Sequence, residues 1–299
     1  MKKMIIILLM SFSFLLAVKP AFNEYKAFDL LVSQVDFGPR YPGSPGQITC
    51  RDWIIDLCDD YADTVIIQEF QAYRPDNKTF TKAYNIIARF SPEKQTRVML
   101  SAHWDTRPIS DMDRPNYSTP VPGANDGASG TAVLLELLRH VKNLGMESGL
   151  DLIFWDAEDM GIAGNGAYFC QGSEFYSYNP VLPKAQKGIL IDMIGDHALS
   201  LPIEVNSMKY APQLVQEVYA IGQALGYSHI YQQRMGIELF DDHVPLNTIA
   251  KIPTIDLIDF SYTYQGKNLW HTPKDLPRYC SPNSLKAVGD VLLLWLSQQ

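Results

Sequence analysis

Acidic side chains and histidines follow apolar, strand-like segments at several places in this sequence of 299 residues. They are Asp126 in Gly-Ala-Asn-Asp-Gly-Ala-Ser-Gly, Glu158 and Asp159 after Ile-Phe-Trp-Asp-Ala, Asp192 in Leu-Ile-Asp-Met-Ile-Gly, and His271 in Leu-Trp-His-Thr. Two carboxylates and an imidazole are what a catalytic zinc ion needs, and a further carboxylate beside the ion can transfer protons. The pattern therefore favours a zinc-dependent catalytic site.

Two of these residues also have a structural interpretation. Asp126 stands before a predicted helix, where its carboxylate could be an N-cap that accepts the backbone N–H of Ala128 or Ser129. Asp192 interrupts an apolar run, and a buried carboxylate must be paired, hydrogen-bonded or metal-bound to offset its burial. Because other motifs accompany it, Asp126 is interpreted as a metal ligand, while a purely structural role for Asp192 stays open.

The adjacent acids Glu158 and Asp159 can divide the work of a metal site. One binds the ion, and the other, kept off it, accepts and returns protons with a pKa that its neighbours raise. A solvated acidic loop is the alternative interpretation of this pair. The apolar Leu-Ile-Phe-Trp segment directly before the two acids argues against such a loop.

Two further groups of polar residues accompany this pattern. Asp241 is followed by Asp242 and His243, and like charges this close raise one pKa unless a cation or a shared proton intervenes. His103 ends a strand-like segment in Ser-Ala-His-Trp-Asp-Thr. It is predicted to be either the ligand of a second metal or a residue that positions a ligand.

Composition and charge limit the class of protein. The chain is 46% hydrophobic and 19% charged, as expected for one globular domain of the larger α/β kind. Its formal net charge is -8, and no cluster of Lys and Arg occurs beyond the first three residues. A nucleic-acid partner is therefore not expected, since such binding depends on clustered positive charge.

The N-terminus is predicted to be a secretory signal peptide covering residues 1–21, with the mature domain at 22–299. Lys2 and Lys3 form a short positive region, and an almost unbroken apolar run extends over Met4–Ala17. This run is shorter than the roughly 20 residues of a comfortable membrane span, so an uncleaved anchor is the weaker alternative. The mature protein is expected in a periplasm or outside the cell, without stable membrane insertion unless the signal stays uncleaved.

Four cysteines permit disulfides in such a compartment without indicating a disulfide scaffold: Cys50, Cys58, Cys170 and Cys280. Cys50 and Cys58 fall in the helical stretch Gln47–Tyr61, where eight positions place them about 12 Å apart, too far for a bridge. A small buried hydrophobe is the default interpretation of each cysteine, and the pairing stays open.

The order of elements predicts how these residues are positioned. Helices are predicted over Asn23–Val35, Asp52–Ala62, Gly127–Leu144, Ala211–Leu225 and Pro282–Leu296. Strands are predicted over Val65–Tyr73, Tyr84–Phe90, Arg97–Ser101, Leu152–Trp155, Gly188–Met193 and Thr254–Ile258. A surface loop with a functional role is expected over Asp105–Pro122. Alternating strands and helices indicate an α/β fold with a parallel-rich sheet, whose ligands collect at the carboxyl ends of the strands.

Taken together, the motifs resemble those of the zinc-dependent glutaminyl-peptide cyclotransferases, or glutaminyl cyclases, which are similar in fold to co-catalytic zinc aminopeptidases. The resemblance runs from Gln34-Val-Asp-Phe-Gly-Pro-Arg through Ala102-His-Trp-Asp-Thr-Arg-Pro, Asp156-Ala-Glu-Asp and Leu190-Ile-Asp-Met-Ile-Gly to Phe240-Asp-Asp-His and Trp270-His-Thr. It is strongest to bacterial, exported members of the animal-type family. It implies a single-domain three-layer sandwich whose mixed, largely parallel central sheet is flanked by helices.

The resemblance also implies roles for single residues. One zinc ion would be held by Asp126, Asp159 and His271. Glu158 would be the general base and acid, and Asp192 and Asp241 would form a hydrogen-bond network with Glu158. The substrate would contact Trp270, Phe169 and Phe240. Two positions depart from the family pattern. Phe169 stands where a pocket tryptophan is expected, and Asp159 stands where the animal enzymes have Glu.

Two rival interpretations remain. A zinc aminopeptidase would use His103, Asp126, Asp159, Asp192 and His271 for two metal ions, with Glu158 activating water for peptide hydrolysis. Asp241 before Asp242-His243, and Trp270 before His271, resemble the cyclases more than the peptidases. A non-catalytic binding module is the second rival, and it would be expected to have lost an acid or the metal histidine.

Overall fold

The structure is a computed structural model that describes residues 21–162 and 166–299. The predicted signal peptide lies outside the described residues except for Ala21. Within the described ranges, no helix combines the length and the apolar character that crossing a membrane requires.

Six strands form the central sheet in the spatial order β1–β2–β4–β3–β5–β8. Their bounds are β1 Thr64–Arg74, β2 Thr79–Phe90, β3 Arg97–His103, β4 Gly149–Trp155, β5 Lys187–Asp192 and β8 Thr254–Ile258. The β1–β2 and β2–β4 pairs are antiparallel, whereas β3 pairs in parallel with β4 and β5, and β5 with β8. The predicted mixed, largely parallel sheet is therefore confirmed.

Eight α-helical segments surround this sheet within the part of the chain that the structure describes. They are α1 Glu24–Asp36, α2 Pro45–Asp59, α3 Ala128–Val141, α4 Gln171–Tyr178, α5 Val205–Tyr210, α6 Pro212–Ala224, α7 His243–Pro245 and α8 Pro282–Leu296. A π-helical turn, Leu246–Ala250, follows α7. Short strand pairs outside the main sheet join β6 Leu201–Ile203 to β7 Tyr231–Met235, and β9 Thr263–Tyr264 to β10 Lys267–Asn268.

Helices cover both faces of the central sheet, and successive side chains of its inner strands point alternately into two hydrophobic cores. Leu100 and Ile191 belong to the larger hydrophobic core, which α1, α3 and α8 share. Met99 and Leu190, their neighbours along the strands, belong to a second core on the other face, against α4 and the π-helical turn. These are the three layers expected of the fold.

Two predictions about local structure were wrong. Helix α2 begins at Pro45, before its predicted start at Asp52, because Ser44 caps it by accepting the N–H of Gln47 and proline is tolerated in a first helical turn. The loop Asp105–Pro122 is only partly at the surface, since Asp105 and Arg107 are buried. Helices α4 and α5 and the short strand pairs were not predicted.

All four cysteines are buried and carry free thiols. Cys50 and Cys58 lie along the same helix, α2. They pack as small apolar side chains, which agrees with the default interpretation of their sequence context.

Candidate active site

The carboxyl ends of the parallel strands meet at one edge of the sheet and bring the predicted site residues together. One cavity of about 390 Å³ is lined by Asp126, Glu158, Asp159, Phe169, Asp192, Phe240, Asp241, Trp270 and His271. His103, at the end of β3, is buried and contacts Asp126 and Asp192 from behind. The location agrees with the rule that ligands of open α/β sheets bind beyond the carboxyl ends of the strands.

Asp126, Asp159 and His271 converge as one set of possible metal donors, with one atom of each within 4.8 Å of the others. His271 Nε2 lies 3.2 Å from Asp159 Oδ1 and 3.7 Å from Asp126 Oδ2. Ligand atoms around a tetrahedral zinc ion at its usual bond lengths stand about 3.3 Å apart. Among the described residues, Asp126 Oδ2 and Asp159 Oδ2 are buried without a hydrogen-bond partner. This donor set therefore fits zinc.

A second donor set shares Asp126 with the first. His103 Nε2 lies 3.1 Å from Asp126 Oδ1 and 3.1 Å from Asp192 Oδ1. The structure thus brings together the residues that both one-metal and two-metal interpretations require.

The electrostatics of the first set favour a cation. Burial lowers the pKa of His271, but Asp159 and Asp111 outweigh this effect and raise it to about 9. Burial, followed by the charge of Asp159, raises the pKa of Asp126 to about 6. Asp159 contributes to both shifts, and a bound cation would offset its negative charge.

The backbone that carries the donors is held by two buried carboxylates that sequence reasoning missed. Asp105 accepts the N–H groups of Glu158 and Asp159 at 3.0 and 3.2 Å. Asp275 accepts those of Asn125 and Asp126 at 2.8 and 3.1 Å. Asp105 lies in the His-Trp-Asp-Thr motif, and its position close to His103 in the sequence could have indicated a role at the site.

Gly127 allows Asp126 to face the cavity. It adopts a φ of +97°, and a Cβ atom there would stand 2.5 Å from the carbonyl oxygen of Asp105. Helix α3 begins one residue later, with Gly127 as its N-cap and no side-chain capping bond. The alternative interpretation of Asp126 as an N-cap is therefore wrong.

Glu158 is half-buried and lines the cavity beside the donor set. Cys170 Sγ donates a hydrogen bond to its Oε1 at 3.4 Å. A carboxylate oxygen of Asp241 lies within 4.8 Å of the Glu158 carboxylate. Burial is the largest cause that raises the pKa of Glu158 well above its ordinary value, and Asp159 and Asp241 add to it against the opposing effect of His103. A carboxyl group tuned in this way suits proton transfer near neutral pH.

Asp241 belongs to a buried polar cluster that continues away from the cavity. One donor atom each of Asp241, His243 and Asp256 lie within 4.8 Å of one another. Burial and the charge of Asp192 raise the pKa of Asp241 to about 6. On the far side of the cluster, His243 Nε2 lies 3.1 Å from Glu204 Oε2.

The walls of the cavity are largely apolar. Trp270 stacks on His271, with ring centroids 3.6 Å apart, and Phe260 packs on Trp270 at 4.8 Å. Phe169 occupies the predicted pocket position, with the Arg107 guanidinium 5.3 Å from its ring centre. Phe240 is 55% exposed, which places it at the mouth of the cavity.

We expect Glu204→Gln to destabilise the protein at pH 7 by about 3 kcal/mol, and this difference to shrink as the pH falls from about 4.5 towards 2. Glu204 accepts the N–H groups of Asn206 and Leu239 at 2.8 and 3.0 Å. Burial would raise its pKa, but the bond with His243 and these N–H donors lower it to about 2. Because the folded-state pKa is depressed, this stabilisation is present above the unfolded-state pKa and is lost on acidification.

Urea unfolding of both proteins over this pH range is the measurement. Glu217→Gln is the control, since Glu217 makes a partly exposed ion pair with Lys187 and should contribute less than about 1 kcal/mol. A Glu204→Gln penalty that stays constant with pH would contradict the prediction.

Comparison with known proteins gives three informative matches. A solved glutaminyl cyclase from Bacteroides thetaiotaomicron bound to N-acetylhistamine is 36% identical, with a TM-score of 0.88 over 94% of this chain and 99% of that chain. A Zn-dependent exopeptidase from Parabacteroides distasonis ATCC 8503 is 34% identical, with a TM-score of 0.88 over 94% of this chain and 100% of that chain. The curated aminopeptidase YwaD of Bacillus subtilis (strain 168) is 26% identical over 226 residues, or 72% of this chain and 45% of that protein.

This chain therefore spans less than half the length of that aminopeptidase, whereas it spans nearly all of the two solved structures. Residues 85–296 match the family model described as Peptidase family M28. This range is more than half of the chain, and it contains every residue of the candidate site. The protein belongs to peptidase family M28.

Proposed function

We propose that the protein is a zinc-dependent glutaminyl-peptide cyclotransferase, which converts an N-terminal glutamine of peptides or proteins to pyroglutamate and releases ammonia. The observation that carries this proposal is the approach of the Glu158 and Asp241 carboxylates, within 4.8 Å, beside a zinc-like donor set in a cavity with apolar walls. The similarity to a glutaminyl cyclase over nearly the whole chain supports it.

Asp126, Asp159 and His271 would hold one zinc ion. Bound there, the ion would polarise the side-chain carbonyl of the substrate glutamine and stabilise the developing oxyanion. His103 would then position Asp126 and Asp192 through its Nε2 atom, without serving as a ligand itself.

Glu158 carries the proton in this reaction. Its carboxylate accepts a proton from the α-amine of the substrate while the amine nitrogen attacks the side-chain carbonyl carbon of the same residue. The new carbon–nitrogen bond closes the five-membered ring. Glu158 returns the proton to the leaving nitrogen, which departs as ammonia when the original amide bond breaks. The raised pKa of Glu158 matches both halves of this task.

Asp241, Asp192 and the aromatic walls position the reacting groups. Asp241 faces Glu158, and Asp192 is fixed by its bond with His103 at 3.1 Å. Trp270 offers a flat apolar surface to the methylene groups of the glutamine side chain. Packing against this surface excludes water, which would otherwise compete with the amine for the carbonyl carbon.

A dizinc aminopeptidase is the second candidate, and the donor set of His103, Asp126 and Asp192 is the observation that favours it. In that reaction, Glu158 would take a proton from water, and the peptide bond after the first residue would be hydrolysed. Asp241 has no evident part in that step, whereas the cyclase mechanism gives it one.

One experiment separates the two candidates. The purified protein is incubated with a Gln-initiated peptide and with a matched Leu-initiated peptide, products are read by mass spectrometry, and zinc per chain is quantified in the same preparation. We expect the Gln peptide alone to lose the mass of one ammonia molecule, with about one zinc per chain. Release of the first residue with about two zinc ions per chain would establish the aminopeptidase instead.

We also propose that the mature protein acts outside the cytoplasm. The support is the sequence pattern of Lys2, Lys3 and the apolar run Met4–Ala17, which is typical of secretory signals. Cell fractionation with intact-mass analysis tests this proposal. A full-length chain recovered from the cytoplasmic fraction would overturn it.

A further inference from the structure

Arg107 and Asp111 lie directly behind two of the proposed zinc ligands, on the outer side of the donor set. Both belong to the segment between β3 and α3, and neither had a predicted role. We infer that these two residues form a clamp that holds Asp159 and His271 in the geometry zinc requires, an inference that rests on the zinc site proposed above.

Arg107 fixes Asp159 twice. Its Nη1 atom donates to Asp159 Oδ1 at 3.0 Å and to the backbone carbonyl of the same residue at 3.1 Å. Its Nη2 atom donates to the carbonyl of Gly161 at 3.1 Å, and this bond fixes the backbone just after Asp159. Arg107 thus holds the Oδ1 atom of the Asp159 carboxylate, whose Oδ2 atom has no hydrogen-bond partner.

Asp111 fixes His271. Its Oδ1 atom accepts from the ring Nδ1 at 3.0 Å, so the ring carries its proton on Nδ1 and directs Nε2 towards Asp159 and Asp126. The N–H of the next residue, Met112, donates to the His271 carbonyl at 3.2 Å. His271 has a φ of +56°, and this backbone contact helps to keep it in that uncommon conformation.

A bidentate ion pair joins Arg107, which holds Asp159, to Asp111, which holds His271. Arg107 Nε donates to Asp111 Oδ1 at 2.9 Å, and Nη2 donates to Asp111 Oδ2 at 2.6 Å. The Arg107 side chain is 1% exposed and that of Asp111 is 8% exposed, so water does little to screen the pair. A single guanidinium therefore couples ligands that come from separate loops, after β4 and after β8.

The clamp acts on metal affinity through ligand position. Outer partners of metal ligands typically change metal affinity by about 10–100-fold, because they set ligand orientation and basicity. Arg107→Lys keeps the charge but cannot make the planar, bidentate contacts, and Asp111→Asn keeps the shape but removes the charged acceptor. Both substitutions should weaken zinc binding to this extent.

The test is the zinc dissociation constant, measured by competition with a chromogenic chelator on the full mature chain. Arg89→Lys is the matched control, because Arg89 makes a buried bidentate pair with Asp151, at 2.9 Å for both contacts, away from the cavity. We expect Arg107→Lys and Asp111→Asn to bind zinc about 10–100-fold more weakly than the wild type. The control should lose thermal stability and keep its zinc affinity.

The reaction of the wild type, assayed in parallel, distinguishes a failure of the clamp proposal from a failure of the cyclase proposal. Unchanged zinc affinity in both folded variants would overturn the clamp, even if the wild type cyclises Gln-initiated peptides. Weakened zinc affinity in the variants, together with a wild type that releases first residues, would support the clamp and overturn the cyclase proposal. If Arg107→Lys fails to fold, Asp111→Asn alone decides, since it leaves Arg107 bonded to Asp159 and Gly161.

Discussion

Replacing Glu158 with Gln is expected to lower kcat by about 100- to 10,000-fold while zinc stays bound, the range that a positioned proton carrier contributes. The change is nearly isosteric. The carbonyl oxygen of Gln can still accept the hydrogen bond from Cys170, and the side chain is not one of the proposed ligands. What disappears is the group able to take a proton from the amine and return it to ammonia.

The measurement combines initial rates on a Gln-initiated peptide with zinc content and a thermal melt of the same preparation. Glu136→Gln is the matched control, because Glu136 is a buried acid on α3 that pairs with Arg139 outside the cavity. Near-normal turnover in Glu158→Gln would remove Glu158 from the proposed role. A similar loss in the control would show that the defect is structural.

Replacing His271 with Ala should weaken zinc binding by about 100-fold or more, beyond the effect of losing an outer partner. The proposed zinc-ligand set would keep Asp126 and Asp159 but lose its one nitrogen donor, and the stacking contact with Trp270 would also be lost. Bound metal stabilises the folded state by mass action, so added zinc should raise the melting temperature of the wild type far more than that of the variant.

Zinc content after dialysis and melting curves with and without added zinc test this expectation. His140→Ala is the control, since His140 is a buried histidine at the end of α3 and lies near Glu136 instead of the cavity. A His271→Ala protein that remains fully loaded with zinc would show that the ligand set has been assigned wrongly.

The residues that line the cavity could be predicted from the sequence because they occur in short motifs. Glu158 and Asp192 follow or end a hydrophobic strand, and parallel strands bring such positions to one edge of the sheet. Asp126 stands just before helix α3. Every residue predicted to line the site does so, and His103 lies directly behind it. The alternation of strands and helices along the sequence likewise predicted the largely parallel sheet.

The supporting residues could not be predicted in the same way. Asp275 receives the N–H of Asn125 across 150 positions of sequence, and Asp111 meets His271 across 160. No local pattern distinguishes such acids from solvated ones, because their role depends on which loops the fold brings together. The start of α2 was missed for a local reason, since Pro45 and Gly46 are common in turns as well as in first helical turns.

The donor atoms of the first set come from segments far apart in the chain, before α3, after β4 and after β8. A preformed metal site is absent from an unfolded chain, so the free energy of metal binding is also free energy of folding. Metal loading should thus report completed folding: a nascent chain that stops short of Trp270 presents two carboxylates and no imidazole. For the exported enzyme proposed above, the zinc supply that matters is then that of the compartment in which the chain folds.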